Sequence, residues 1–139
     1  MIENTTFYIG EATAAEVRNR IATACGVPAS TLLVVPAVGY QWMEPSAYDG
    51  LTVLQCHQYE CGDLKLEVEV LLGGARLGVD PGEVHHFFQG LAAVLGTTVM
   101  FSDPNGSLLL SELGAEPRSV TAQMPEEYDA VGPLVRPGL

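Results

Sequence analysis

A stretch of alternating apolar and charged residues limits the fold more than any other feature of this sequence. The stretch reads Leu64-Lys-Leu-Glu-Val-Glu-Val70. A period of two is typical of a β-strand with one buried face and one wet face. The segment Leu51–Tyr59, before the short connection Cys61-Gly62-Asp63, is also rich in strand-forming residues. We therefore predict a hairpin whose arms are Leu51–Tyr59 and Leu64–Leu72.

Two helices are predicted from their start and stop signals. Thr13-Ala-Ala-Glu16 is a capping box, in which the Thr13 hydroxyl and the Glu16 carboxylate each bond a free backbone amide. The helix that follows is predicted over 14–26 and ends at a glycine. Asp80-Pro-Gly-Glu83 predicts a second capping box, with Asp80 as N-cap. Phe88 falls on the buried stripe of that second helix.

The remaining strands are predicted at 6–9, 31–36, 97–102 and 107–111, which gives the order β-α-β-β-β-α-β-β. Helices are too few for a doubly wound fold. We therefore predict an α+β fold, with a mostly antiparallel sheet and two helices packed on one face. The 139 residues fit one domain. From about 114 to 139 the chain is rich in proline, glycine and acid, so an irregular C-terminal arm is expected.

The net charge of the chain restricts the classes of molecule that it is expected to bind. Seventeen acidic and six basic residues give a formal net charge of −11. Such a surface repels phosphate and anionic headgroups, which argues against nucleic acid and membrane partners. No apolar run approaches the ~18 residues of a membrane span, and no secretory signal is evident at the start. A cytoplasmic protein that attracts a basic protein partner is expected, and its oligomeric state stays open.

Cysteine and histidine supply the most chemically suggestive set in the sequence, which is Cys56, His57, Cys61, His85 and His86. Cys56 and His57 are neighbours on a predicted strand, so their side chains point to opposite faces of the sheet. His85 and His86 are adjacent on a predicted helix and lack the i, i+4 spacing of two histidines that bind one metal ion. We therefore predict no metal, no cofactor and no catalytic residue. Three cysteines cannot all pair within one chain, so reduced thiols are expected. A Cys56–Cys61 bridge across the hairpin stays open.

Carboxylates cluster along the predicted hairpin, and we predict that they bind the basic partner. These residues are Glu60, Asp63, Glu67 and Glu69. Alternation places Glu67 and Glu69 on the wet face of the sheet. The predicted rim of this surface comprises Trp42, Glu44 and Asp49. Residues 37–49 lack a clear period, and they are either a loop that covers the core or an exposed aromatic contact surface.

The segment Val84–Asp103 resembles a pattern of bacterial immunity proteins from polymorphic toxin systems. In that pattern, a helix ending in Leu-Gly leads into an apolar strand and then an Asp/Pro/Asn/Gly turn. The resemblance implies a non-enzymatic inhibitor that occludes a cognate toxin with its acidic face. It carries over no specific binding residue. Two alternatives remain, a small acidic secretion chaperone and a small enzyme or ligand-binding domain that uses the Cys/His set.

Overall fold

The computed structural model describes residues 5–36, 49–125 and 130–137. Within these ranges the chain forms two α-helices and eight strands. The helices are α1 (Ala14–Cys25) and α2 (Val84–Leu95). The strands are β1 (Thr6–Ile9), β2 (Leu32–Pro36), β3 (Thr52–Gln58), β4 (Leu66–Leu72), β5 (Thr98–Ser102), β6 (Leu108–Glu112), β7 (Arg118–Gln123) and β8 (Leu134–Pro137).

The strands form one sheet in the order β2-β3-β4-β1-β5-β6-β7-β8. The pair β2–β3 is parallel, and every other neighbouring pair is antiparallel. The predicted hairpin is present as β3 and β4, which are paired from Val53 and Leu72 to Gln58 and Leu66. The predicted α+β fold, with a mostly antiparallel sheet, is confirmed.

The two helices pack against one side of the sheet, here called the helix face. The core between the helices and the sheet contains an aromatic cluster. The centroid of the Phe88 ring in α2 lies 4.9 Å from that of Phe7 and 4.7 Å from that of Phe101. All three side chains are fully buried. Val17 and Ile21 of α1 belong to the same cluster. The predicted placement of both helices on one face is therefore confirmed, and Phe88 is a central core residue.

A second apolar cluster lies on the opposite side of the sheet, here called the far face. Its buried members are Leu64, Met100, Leu110 and Val120. Leu64 was expected to share a face with Leu66, but Leu66 lies in the helix-face core. The alternation begins only with β4 at Leu66, because Leu64 still belongs to the connection between β3 and β4.

The expectation of an irregular arm after about residue 114 is wrong, because this region contributes β7 and β8. Val120 of β7 is buried in the far-face cluster, and Val135 of β8 packs against it. These strands are only six and four residues long. Their apolar period is too short to stand out among the prolines and acidic residues, so tertiary packing decides their conformation.

The C-terminal segment also binds the connection between β3 and β4. The Gly132 amide donates to the Cys61 carbonyl at 2.8 Å, and the Glu60 amide donates to the Ala130 carbonyl at 2.9 Å. Gly62 has a φ of 116°, and a Cβ there would lie 2.9 Å from the Gly132 amide nitrogen. Only glycine permits both this backbone conformation and this close approach. The tip of the hairpin is therefore held in place by residues distant in sequence.

The two helix starts differ from each other. The capping box at Thr13 and Glu16 is present, with both reciprocal hydrogen bonds formed. The second predicted capping box, at Asp80 and Glu83, is not formed. Asp80 instead precedes a 3-10 turn, Pro81–Glu83, and its side chain makes no capping hydrogen bond. Helix α2 begins only at Val84 because this turn occupies the position where the capping box was expected.

We expect Thr13→Ala to lower the free energy of unfolding by ~1 kcal/mol, the usual loss of an N-cap. Asp80→Ala, which removes no capping bond, should change it by less than ~0.5 kcal/mol. Urea unfolding of the two variants beside the parent measures both values. Equal losses at the two positions would contradict the difference between the helix starts.

Candidate functional site

The predicted partner-binding carboxylates of the hairpin all fall within the residues that the structure describes. We call Glu60, Asp63, Glu67 and Glu69 the acidic hairpin face. Glu60 and Asp63 are exposed in the connection between β3 and β4, whereas Glu67 and Glu69 are half-buried in β4. Leu66, Val68 and Val70 pack in the helix-face core, so strand alternation places Glu67 and Glu69 on the far face.

Of the three residues predicted to form the rim of this surface, the structure describes only Asp49. Asp49 is exposed and lies in a turn just before β3. Trp42 and Glu44, together with most of the segment 37–49, lie outside the described residues. The alternative roles predicted for that segment therefore stay predictions.

Glu67 is held by neighbouring tyrosines, which corrects the expectation that its position is simply solvated. Its Oε1 accepts a hydrogen bond from the Tyr59 hydroxyl at 3.1 Å. Tyr59 is buried, with 6% of its surface exposed. Tyr8 lies opposite Glu67 on β1. Burial, together with the charge of Glu67 and hydrogen bonding to it, raises the pKa of Tyr8 well above its usual range, so this hydroxyl stays protonated.

The surroundings of Glu67 are aromatic as well as acidic. His57 pairs with Glu67 across the strands, and its ring meets the edge of Tyr59 with centroids 4.6 Å apart. Sequence reasoning assigned no role to Tyr8 or Tyr59. For Tyr8 the available signal was its position between two apolar residues of a predicted strand, Phe7 and Ile9, which are both buried.

Asp63 has a structural role as well as an exposed position. One of its carboxylate oxygens accepts from the Val135 amide at 2.8 Å. This bond attaches the tip of the hairpin to β8. Asp63 therefore contributes negative charge to the surface, but its replacement would also disturb the packing of the C-terminal strand.

The acidic hairpin face is chemically suited to receive cations. Among the described residues, the only ion pair within 4.0 Å joins Arg118 to Glu112, so none of its four carboxylates is neutralised by a described side chain. An ionised carboxylate has about four acceptor positions. The bond from Tyr59 fixes the Glu67 carboxylate and leaves acceptor positions for N–H groups of an incoming guanidinium.

The Cys/His set is divided between the two sides of the sheet. Cys56 packs against the helix-face core, while the neighbouring His57 lies beside Tyr59. His85 and His86 are exposed on α2. All three cysteines are free thiols. In the described ranges, no group of three or more His, Cys, Asp and Glu residues is placed to hold a metal ion.

The cysteines should differ in reactivity. Burial raises the pKa of Cys56 to about 11 and also raises that of Cys25. Because the thiolate is the nucleophile, only about one Cys56 in a thousand is reactive at pH 8. We expect iodoacetamide to label the exposed Cys61 first and Cys56 last, with the Cys56 rate rising about tenfold per pH unit up to its pKa. Peptide mapping over time measures the order, and early labelling of Cys56 would contradict its burial.

No helix in the described parts of the chain is both long enough and apolar enough to cross a membrane. No protein-family model matches the sequence, and neither a curated protein nor a solved structure shows significant similarity to it.

Proposed function

We propose that this protein is a non-enzymatic binding protein that sequesters a basic protein partner through its acidic hairpin face. The proposal rests on the absence of neutralising partners around the four carboxylates of the acidic hairpin face, within the described residues. All four belong to β4 or to the connection between β3 and β4, and none has a cationic partner among the described residues. The formal net charge of −11 supports the same partner chemistry, because it repels anionic macromolecules and attracts basic ones.

The carboxylates would contribute in two different ways. Glu60 is exposed, so it would act mainly by steering a basic partner during encounter. Glu67 is half-buried and oriented by Tyr59, so it would accept directional hydrogen bonds from an arginine of the partner. Beside it, the rings of His57 and Tyr59 offer aromatic surface of the kind that protein interfaces favour.

The most concrete form of the proposal is an immunity or inhibitor protein that occludes a basic toxin. The resemblance of Val84–Asp103 to immunity proteins supports this form. In the structure that segment forms α2, the left-handed Gly96 cap and β5. These elements build the core under the sheet, so they would support the acidic hairpin face without contacting the partner themselves.

The test begins with the immobilised parent protein, lysate of its own cells and elution by a salt gradient. Mass spectrometry then identifies the proteins released. We expect a polypeptide with a basic isoelectric point, purified afterwards so that its association rate can be measured against salt. The rate should fall as salt rises, because charges in solvent are screened beyond ~8 Å at physiological ionic strength. A specific partner that is acidic, or an association rate independent of salt, would refute the proposal.

A secretion chaperone would also bind a protein partner, and its solution mass separates the two classes. Such chaperones are usually dimers, whereas a one-to-one inhibitor needs no self-association. Sedimentation of the protein alone and with its partner measures both masses. A stable homodimer that keeps the partner unfolded would support the chaperone class and contradict the inhibitor proposal.

A further inference from the structure

A groove of about 450 Å³ runs between α1 and α2, within the size range of ligand sites. It lies in the helix layer, whereas Glu67 and Glu69 lie on the far face of the sheet. Its wall is largely apolar, with Cys25, Leu77, Val79, Phe87, Leu91 and Val94. Val94 is 51% exposed although it is a large apolar side chain. The groove therefore presents apolar surface that the described parts of the chain leave uncovered.

Gly90 lines this groove from the interior of α2. Glycine inside a helix destabilises it relative to alanine, so its presence usually has a packing reason. Here a Cβ at Gly90 would meet nothing within 4 Å. The protein's own packing therefore does not require glycine at this position. The missing side chain instead keeps the groove open along the middle of α2.

Among the polar side chains that line the groove, Arg20 favours the binding of an anion. Arg20, one of only six basic residues in the chain, lines the groove from α1 and forms no ion pair with a described residue. His86 lines it from the first turn of α2, and Glu83 lines it from the 3-10 turn just before that helix. Glu83 repels an anion, so a ligand carboxylate would bind at Arg20, where guanidinium and carboxylate geometries match.

We propose that this groove binds a small apolar carboxylate, with its hydrocarbon tail over Gly90 and its carboxylate at Arg20. The site goes beyond the proposed binding of a basic protein, because it uses different residues in a different layer and ligand chemistry of opposite charge. A failure at either site would leave the other proposal intact.

The direct test uses octanoate, titrated into the full chain and followed by amide chemical shifts in ¹H–¹⁵N spectra. We expect saturable shifts at α1 and α2. Octan-1-ol, which keeps the tail and lacks the charge, should bind about tenfold more weakly. Octylammonium should bind more weakly than octanoate although the protein is strongly acidic. No saturable binding of octanoate, or tighter binding of octylammonium, would overturn the proposal.

Two substitutions test separately where the carboxylate and the hydrocarbon tail of the ligand bind. Arg20→Gln should weaken octanoate about tenfold and octan-1-ol less than about twofold. Gly90→Leu should abolish the binding of both probes by filling the groove. Ala15→Leu enlarges an exposed residue of α1 that does not line the groove, so it should change neither affinity. Unchanged octanoate affinity in Gly90→Leu would overturn the assignment of the groove.

Gly90→Ala protects the test against a simple loss of folding. The added methyl group should raise the melting temperature by about 2–4 °C, because alanine favours a helix interior. The same methyl group should weaken octanoate, since it occupies space above the groove wall. A more stable protein with lower affinity supports the site, whereas a more stable protein with unchanged affinity contradicts it.

Discussion

Phe88→Ala should lower the free energy of unfolding by about 3–5 kcal/mol, the largest stability change that we expect from one substitution in this chain. The Phe88 side chain is fully buried, and its ring lies close to those of Phe7, Phe87 and Phe101. Its removal would leave a cavity between α2 and the centre of the sheet. Domains of this kind are stable by only ~5–15 kcal/mol, so the variant should be barely folded at 37 °C.

The neighbouring Phe87 provides a matched control, because it is the same residue one position earlier in α2. Phe87 is only half-buried and packs at the margin of the core. Phe87→Ala should therefore cost clearly less than Phe88→Ala. Urea unfolding with an unchanged denaturant slope measures both losses. If the two losses were equal, or if Phe88→Ala cost less than ~1.5 kcal/mol, the aromatic core described here would be wrong.

Local sequence signals were sufficient for the elements that carry strong periodicity. The alternation in β4 and the capping box at Thr13 both appear in the structure because each depends on residues close together in the chain. Asp80 shows where such reasoning fails. A capping residue, a proline and an acid stand in the right order, yet the chain forms a 3-10 turn instead. Spacing alone cannot distinguish these two ways of starting a helix.

The last two strands could not be predicted because their stability comes from distant residues. Val120 contacts a far-face cluster that includes Leu64 and Met100. The amide of Val135 bonds Asp63, which is 72 residues earlier in the chain. Short strands with one or two apolar residues gain their conformation from such contacts, and sequence patterns do not contain them.

The sequence predicted the acidic residues of the candidate site but not the hydrogen bonds that orient them. Sequence alternation placed Glu67 on the far face, where the structure also has it. The bond from the Tyr59 hydroxyl to Glu67 joins the residue just after β3 to β4, and no local sequence pattern predicts it. Glu67 is therefore unsuitable for charge reversal, because a lysine there would leave the buried Tyr59 hydroxyl without this acceptor.

Reversal of Glu60 and Glu69 to lysine should slow association with the basic partner about tenfold or more, because it removes electrostatic steering. Glu60 is exposed, and Glu69 has no cationic partner among the described residues, so the fold should survive both changes. Stopped-flow association rates, measured at several salt concentrations for parent and variant, provide the test. The parent rate should fall steeply with salt, and the variant rate should depend on it only weakly.

A control variant separates local charge from net charge. Glu83→Lys combined with Glu116→Lys changes the net charge by the same amount, at two exposed positions outside the acidic hairpin face. If the hairpin carboxylates guide the partner, this control should slow association far less than the Glu60 and Glu69 reversal. Equal slowing by both variants would show that only net charge matters. Unchanged rates in the hairpin variant would mean that its carboxylates do not recruit the partner, and the segment containing Trp42 would become the next one to test.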